Sequence, residues 1–283
     1  MAFKRPTSLE IELCDRALDP MRALMDPVFH HLERVPTEPG RAPLLFVGNH
    51  TLMGLLDVPF FFFALLHEHD IFLRSMGDRM HFRVPGWADF FTRWGVIEGN
   101  RERCGELLAA GEPVLVFPGG AREVAKRKNE QYQLMWGTRL GFAKLAIRHQ
   151  ATIVPFAMVG ADDAWDIVMD ADEICESLMG PVIEATWSLA NIPRGSMPPL
   201  VKGLAGTPVP KPVRLYFGIG EPVYTGPYAG LEEDDSAAYA LREEVASAIE
   251  KELAYLLNER KWDVDDGSLR RRVTTGMLKL LKR

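Results

Sequence analysis

Short apolar runs that stop at glycine, asparagine or proline, spaced by helix-length stretches, constrain this chain more than any other feature. Residues 43–57 read PLLFVGNHTLMGLLD. Leu44, Leu45, Phe46 and Val47 form a run of the kind used by a strand buried on both faces, and Gly48 and Asn49 break it just before His50. A second run over 113–118 ends in the same way and opens into GGAREVAKRK. Sites in open α/β sheets collect at the carboxyl ends of strands, so both runs deliver polar residues to one edge. The expected fold class is α/β: a mixed, largely parallel central sheet flanked by helices, with amphipathic N-terminal helices and a basic C-terminal tail.

The rest of the chain fits that frame. Residues 8–35 carry Leu9, Ile11, Leu18, Met21, Leu24, Met25, Val28, Phe29 and Leu32 among charged positions, which predicts one or two amphipathic helices broken near Asp19-Pro20. On this reading His30 and His31 lie on a helix surface. A helix comes after His50, with Pro59 admitted where it starts. Its Phe60–Phe63 block fits either core or the wall of an acyl-chain channel. Strands are expected at 71–74, 114–117, 151–154 (closed by Pro155) and 213–218, and helices over 102–110, 131–148 and 231–259. Trp87, Phe90, Phe91 and Trp94 recur at helical spacing and are expected to bury one face. Residues 187–211 hold too much proline for a long helix or central strand, and read as an excursion that caps the core, contacts lipid or encloses a hydrophobic substrate.

Composition excludes several classes. With 283 residues, 47% apolar, the chain is long enough for a substantial core, and a formal net charge of −6 argues against a nucleic-acid partner. Cys14, Cys104 and Cys175 are widely spaced without a CxxC pair, as in reduced thiols of a cytoplasmic protein. No secretory signal is evident, and the longest apolar stretch, 52–66, is interrupted by Asp57 and Pro59 and falls short of the ~20 residues of a spanning helix. The chain is expected to lie on a membrane rather than cross it. Its last fifteen residues, with six basic side chains and no acidic one, suit an anionic surface or a frayed tail.

The chemistry-bearing residues narrow the choice further. There is no GxSxG elbow, no GxGxxG after the first strand and no Walker A loop. His67, Glu68 and His69 lack metal-ligand spacing, and Asp162, Asp163 and Asp166 read as a solvated turn. Arg101, at the expected start of a helix, and the basic segment 119–128 are candidate anion donors, the latter equally a solvated face. His50 as a general base, anion donors and large apolar surfaces together fit an alcohol attacking an activated acyl group on an anionic carrier.

Four blocks in order then resemble the glycerolipid acyltransferases of the phosphate-acyltransferase, PlsC-like type. They are Gly48-Asn49-His50, the 95–101 stretch GVIEGNR, Phe117-Pro118-Gly119-Gly120 with Arg122 and Glu123, and Ile153-Val154-Pro155-Phe156. Together with the excursion ending in YFGIGEP, they look most like the diacylglycerol and phytyl-ester acyltransferase branch. The resemblance implies an N-terminal helical segment over 1–37, a catalytic domain over 38–260 and a tail over 261–283. It implies an acyl-CoA-dependent O-acyltransferase without acyl-enzyme, bound cofactor or metal, in which His50 deprotonates the acceptor hydroxyl. The family usually places an aspartate five residues after this histidine. Here that position is Leu55, and Asp57, seven residues on, stands in as the group that holds the imidazole. Asn49, Arg101, Gly119, Gly120, Arg122 and Glu123 are carried over as the substrate-binding set, and amides near Gly48 or Gly119 as oxyanion donors. The implied partners are acyl-CoA and a lipid acceptor, in a cytoplasmic protein peripheral on the inner membrane face. A neutral lipid or long-chain alcohol is the preferred acceptor, because GGARE replaces the usual proline–glutamate–glycine pattern. Lysophospholipid or lysophosphatidate acylation, acyl-CoA hydrolysis, and a non-catalytic lipid-binding protein on the same scaffold are the alternatives.

Overall fold

The computed structural model describes residues 5–38, 40, 42–54, 56–83, 86–189 and 194–263. Its strands are β1 (Val28–His30), β2 (Leu44–Gly48), β3 (Arg74–Gly77), β4 (Val96–Glu98), β5 (Val114–Val116), β6 (Thr152–Val159), β7 (Asp166–Met169), β8 (Leu200–Lys202), β9 (Tyr216–Ile219) and β10 (Val223–Tyr224). Its helices are α1 (Ser8–Ala17), α2 (Asp19–Met25), α3 (Val58–His69), α4 (Trp87–Arg93), α5 (Arg101–Ala109), α6 (Ala121–Val124), α7 (Gly141–Arg148), α8 (Ala171–Glu176), α9 (Gly180–Leu189) and α10 (Asp235–Trp262).

The central sheet runs β1-β9-β6-β2-β5-β3-β4, with β10 also paired to β6. All pairs are parallel except β6–β9 and β6–β10, so the sheet is mixed and largely parallel. β7 and β8 form a separate antiparallel pair. The sequence of β2 explains its central place. Leu44 and Phe46 join the core beneath α3, whereas Leu45 and Val47 join the core beneath α5, α7 and α10, so neither face tolerates a polar residue. The Phe60–Phe63 block is core: all four rings are buried, and Phe61 stacks on Phe156 at 4.3 Å between ring centres. Helix α10 starts at its Asp234 cap and buries Ala238, Leu241, Val245, Ile249, Leu253 and Leu256 along one stripe.

Several expectations change. The N-terminal segment forms α1, opened by a reciprocal Thr7–Glu10 cap, and α2, starting at Asp19-Pro20, but it then enters the sheet as β1 beside β9. His30 is therefore a strand residue. His31, left-handed at φ 59°, bonds buried Glu252 of α10 through Nδ1 at 2.9 Å. Met25 and Val35 join the core beneath α3, and β1 joins the central sheet beside β9. The strand expected at 71–74 begins at Arg74. Helix is confined to 141–148 in the stretch expected to be helical from 131, because the amides of Tyr132 and Met135 are drawn to Asp162 and Glu123. Strand β6 runs through Pro155, whose carbonyl still accepts from Gly220 N at 2.8 Å. Helix α4 buries none of its residues, leaving Trp87 and Phe90 more than half exposed. The 187–211 excursion contains the end of α9 and β8, and Met197 within it is buried. The basic tail lies outside the described residues apart from 261–263.

Candidate active site

Strands β2, β5 and β6 are adjacent and parallel, so their carboxyl ends open on one edge. Each releases one loop there: 49–57 after β2, 117–120 leading to α6 after β5, and 160–163 after β6. His50 stands on the first loop. Its imidazole stacks on Phe117 of the second loop, 3.9 Å between ring centres and 13° from parallel. Gly54 closes the edge of the imidazole. A Cβ there would fall 2.5 Å from His50 Cε1, and the residue adopts φ +60° directly after Met53 at φ 64°. Only glycine meets both demands without strain.

Three buried charged side chains grip the backbone of the histidine loop. Glu123 on α6 accepts from His50 N through Oε2 at 3.1 Å and from Met135 N through Oε1 at 2.9 Å. Lys126 donates through Nζ to His50 O at 2.5 Å and lies 3.5 Å from Asp162 Oδ2. Asp162 accepts from Leu52 N at 2.6 Å and from Tyr132 N at 2.9 Å. All three side chains are at most 1% exposed. Burial raises the Glu123 carboxyl above its ordinary range, against the Met135 amide and the Lys126 charge, which pull it down. The turn around Asp162 is thus a buried node, a correction to its reading as solvated. Asp163 does reach a partner, the Tyr132 hydroxyl, and exposed Asp166 pairs with Lys211.

The remaining carried-over residues divide by where the chain places them. Asn49 is fully buried and its amide is used on β6, donating to Met158 O at 2.9 Å and accepting from Met158 N at 2.8 Å. It ties the histidine loop to the sheet. Asp57 is 1% exposed and accepts from Thr51 Oγ1 at 2.6 Å and Val58 N at 2.9 Å. Thr51, whose hydroxyl it holds, is the residue after His50. Desolvation pushes the Asp57 carboxyl up to about 6, opposed by the Thr51 hydroxyl.

Gly119 is required by the close approach of Glu123, since a Cβ would sit 2.2 Å from its carboxyl carbon. Gly120, at φ 50°, turns the chain and donates its N–H to Phe117 O at 2.9 Å. Glu123 itself bonds the amides of His50 and Met135. Arg122 is half-buried and paired with Glu130 at 2.6 Å, which also accepts from Arg127 N. Arg101 opens α5 behind the Asn100 cap and is exposed.

Lys126, Asp162 and Gly54 are the site residues that sequence reasoning passed over, and Phe117 entered only as part of a block, without its contact to His50. Asp162 comes after the parallel strand β6 just as His50 comes after β2, so the same edge rule pointed to it. Lys126 sits in a basic run with Arg127 and Lys128, and nothing in that run marks the one member that is buried. Among the described residues no group of three or more His, Cys, Asp or Glu is placed to hold a metal ion. Buried Cys104 is pushed up to about 11 by desolvation, an inert thiol at neutral pH.

A family profile described as Acyltransferase matches residues 26–159. Phytyl ester synthase 1, chloroplastic, of Arabidopsis thaliana is 32% identical over 80% of this chain and 34% of its own length. Phytyl ester synthase 2, chloroplastic, of the same plant is 31% identical over 91% of this chain and 39% of its own. The "DGAT1/2-independent enzyme synthesizing storage lipids" of Bos taurus is 33% identical over 44% of this chain and 36% of its own. The chain thus spans between a third and two-fifths of the length of these relatives. The crystal structure of the 1-acyl-sn-glycerophosphate (LPA) acyltransferase PlsC from Thermotoga maritima overlays with TM-score 0.44 at 13% identity, over 87% of this chain and 83% of that one, too distant to carry an argument. Histidine motif, glycine turn and profile match converge: residues 26–159 of this chain belong to the family described as Acyltransferase.

Proposed function

We propose that this protein moves an acyl group from an acyl thioester, acyl-CoA, to the hydroxyl of a lipid, with a neutral lipid or long-chain alcohol as acceptor. The observation that carries the reading is the imidazole of His50, held between Phe117 and Gly54 at the edge where three parallel strands end. In this reaction His50 takes the proton of the acceptor hydroxyl as its oxygen attacks the thioester carbonyl. The tetrahedral intermediate then collapses, the carbon–sulfur bond breaks, and the thiolate recovers the proton from the imidazolium. Glu123, Lys126, Asp162 and Asp57 act by fixing the loop, so that the base meets the hydroxyl in one geometry.

The similarity to proteins named as phytyl ester synthases and storage-lipid enzymes supports a neutral acceptor. A lipid acceptor requires contact with a lipid surface, and exposed Trp87 and Phe90 of α4 supply apolar side chains for it, as do exposed Leu9 and Leu13 of α1. Glu10 of α1 and Arg93 of α4 are ion-paired, which keeps the two helices side by side. Among the described residues no helix is long and apolar enough to cross a membrane.

The test is mass spectrometry of products after incubating the protein, and its His50→Ala variant, with a long-chain acyl-CoA and a pool of alcohols, mono- and diacylglycerols and lysophospholipids. A new neutral ester formed only with His50 intact is the expected result. Free fatty acid without ester would replace transfer by hydrolysis. An ester formed equally by the alanine variant would remove His50 as the base.

A further inference from the structure

We infer that the cleft between the starts of α5, α7 and α10 binds the phosphate-bearing nucleotide end of the acyl donor, an inference that rests on the acyl-transfer reading above. The cleft has a volume of about 580 Å3, within the range of sites that enclose a small organic ligand. Its lining carries Arg101, Arg139 and Lys144 against a single carboxylate, Asp235. Lys144 and Asp235 meet at 2.5 Å, but Asp235 is largely exposed, so a phosphate competes easily for that ammonium. Among the described residues, Arg101 and Arg139 have no carboxylate partner. Arg139 uses one guanidinium nitrogen on the carbonyls of Pro118, at 2.8 Å, and Gly119. The rest of its planar fork remains for a ligand, the geometry that suits phosphate. Helix α7 also begins in this cleft without a side-chain cap, which adds a positive end to the three cations.

Two features assign the cleft to the donor rather than to the acceptor headgroup. Pro118 and Phe142 give it apolar walls beside the cations, a lining that matches a base and sugar carrying phosphates better than a bare phosphate. Pro118, which lines the cleft, directly follows Phe117, the ring on which His50 stacks. A ligand anchored beside Pro118 needs an arm to carry its reacting end to His50. The flexible pantetheine between the phosphates and the thioester of acyl-CoA is such an arm.

The test is calorimetric titration of the full chain with CoA, 3′-dephospho-CoA and pantetheine, without acceptor, beside an Arg101→Gln/Lys144→Gln variant whose melting temperature is recorded. Arg139 is left intact because it also supports the 118–119 turn. The expected result is a roughly tenfold or greater loss of CoA affinity in the variant, the scale of losing a charge-assisted contact, with weak pantetheine binding unchanged. On the unaltered protein, removal of the 3′-phosphate or added salt is expected to weaken binding, a readout that stands even if the variant does not fold. Equal CoA affinity in a folded variant would overturn the assignment. So would a rise in KM for a phospholipid acceptor with none for acyl-CoA, which would give the cleft to the acceptor headgroup. The two readings fail separately. Cleft-dependent CoA binding without ester formation would sink the transferase, and ester formation with unaltered CoA affinity would sink the cleft.

Discussion

The ammonium of Lys126 donates to the carbonyl oxygen of His50, and the carboxylate of Glu123 accepts from the amide nitrogen of the same residue. The general-base candidate is thus held on both sides of its own peptide by opposite charges that water does not reach. Replacing Lys126 by methionine keeps the volume and leaves the carbonyl and Asp162 without their cation. Breaking a buried pair from one side costs about 3–5 kcal/mol. Lys126→Met is expected to lower the urea midpoint accordingly. In the protein that remains folded, it is expected to reduce kcat with little change in KM, because no substrate contact is lost. A stable variant with full kcat would show that the clamp does not position His50.

Gly54 offers a test of the same geometry from the other side of the ring. Alanine at φ +60° costs about 1 kcal/mol, and its Cβ would press on the imidazole. Gly54→Ala is expected to melt only a few degrees lower while losing most of its activity, and histidine NMR signals would report the displaced ring. Alanine tolerated with unchanged turnover would mean that the imidazole does not need this seat.

These two residues also mark what the sequence disclosed and what it did not. The runs at 44–48 and 114–116 announced buried parallel strands because both faces of the sheet are covered, and the breaks after them located His50 and the Gly119-Gly120 turn. Lys126 and Asp162 stayed hidden because a charged residue is buried only when its partners are met, and those partners lie 76 and 110 residues away in the chain. Helical spacing at Trp87 and Phe90 misled for a related reason: periodicity identifies an apolar face, not what covers it. The stretch 131–140 looked helical, yet its amides found better acceptors in Asp162 and Glu123.

Asp57 carries the clearest pH signature. Its folded value of about 6 lies above the ordinary 3.8, so folding favours the protonated form. The stabilisation is complete below about pH 4 and disappears as pH rises through about 6. Asp57→Asn stays neutral at every pH, so its stability relative to the parent should rise by about 2–3 kcal/mol between pH 4 and 8. Urea unfolding at both ends of that interval measures the difference. A constant gap would place the Asp57 carboxyl near its unfolded value.

The exposed aromatic face of α4 gives the last expectation. Trp87 and Phe90 are 53% and 55% exposed, and Leu9 and Leu13 of α1, the helix joined to α4 by the Glu10–Arg93 ion pair, are exposed as well. Inserting even one such side chain into an interface is worth about 1.5–3 kcal/mol, or roughly a ten- to hundredfold change in partition. A Trp87→Ser/Phe90→Ser variant is therefore expected to sediment with neutral phosphatidylcholine vesicles at least tenfold less than the parent. With acceptor presented in detergent micelles, its kcat should match the parent, since α4 holds none of the residues around His50. Equal vesicle binding by the two proteins would move membrane contact away from this face, and a matching loss of kcat in micelles would mean that α4 supports the site itself.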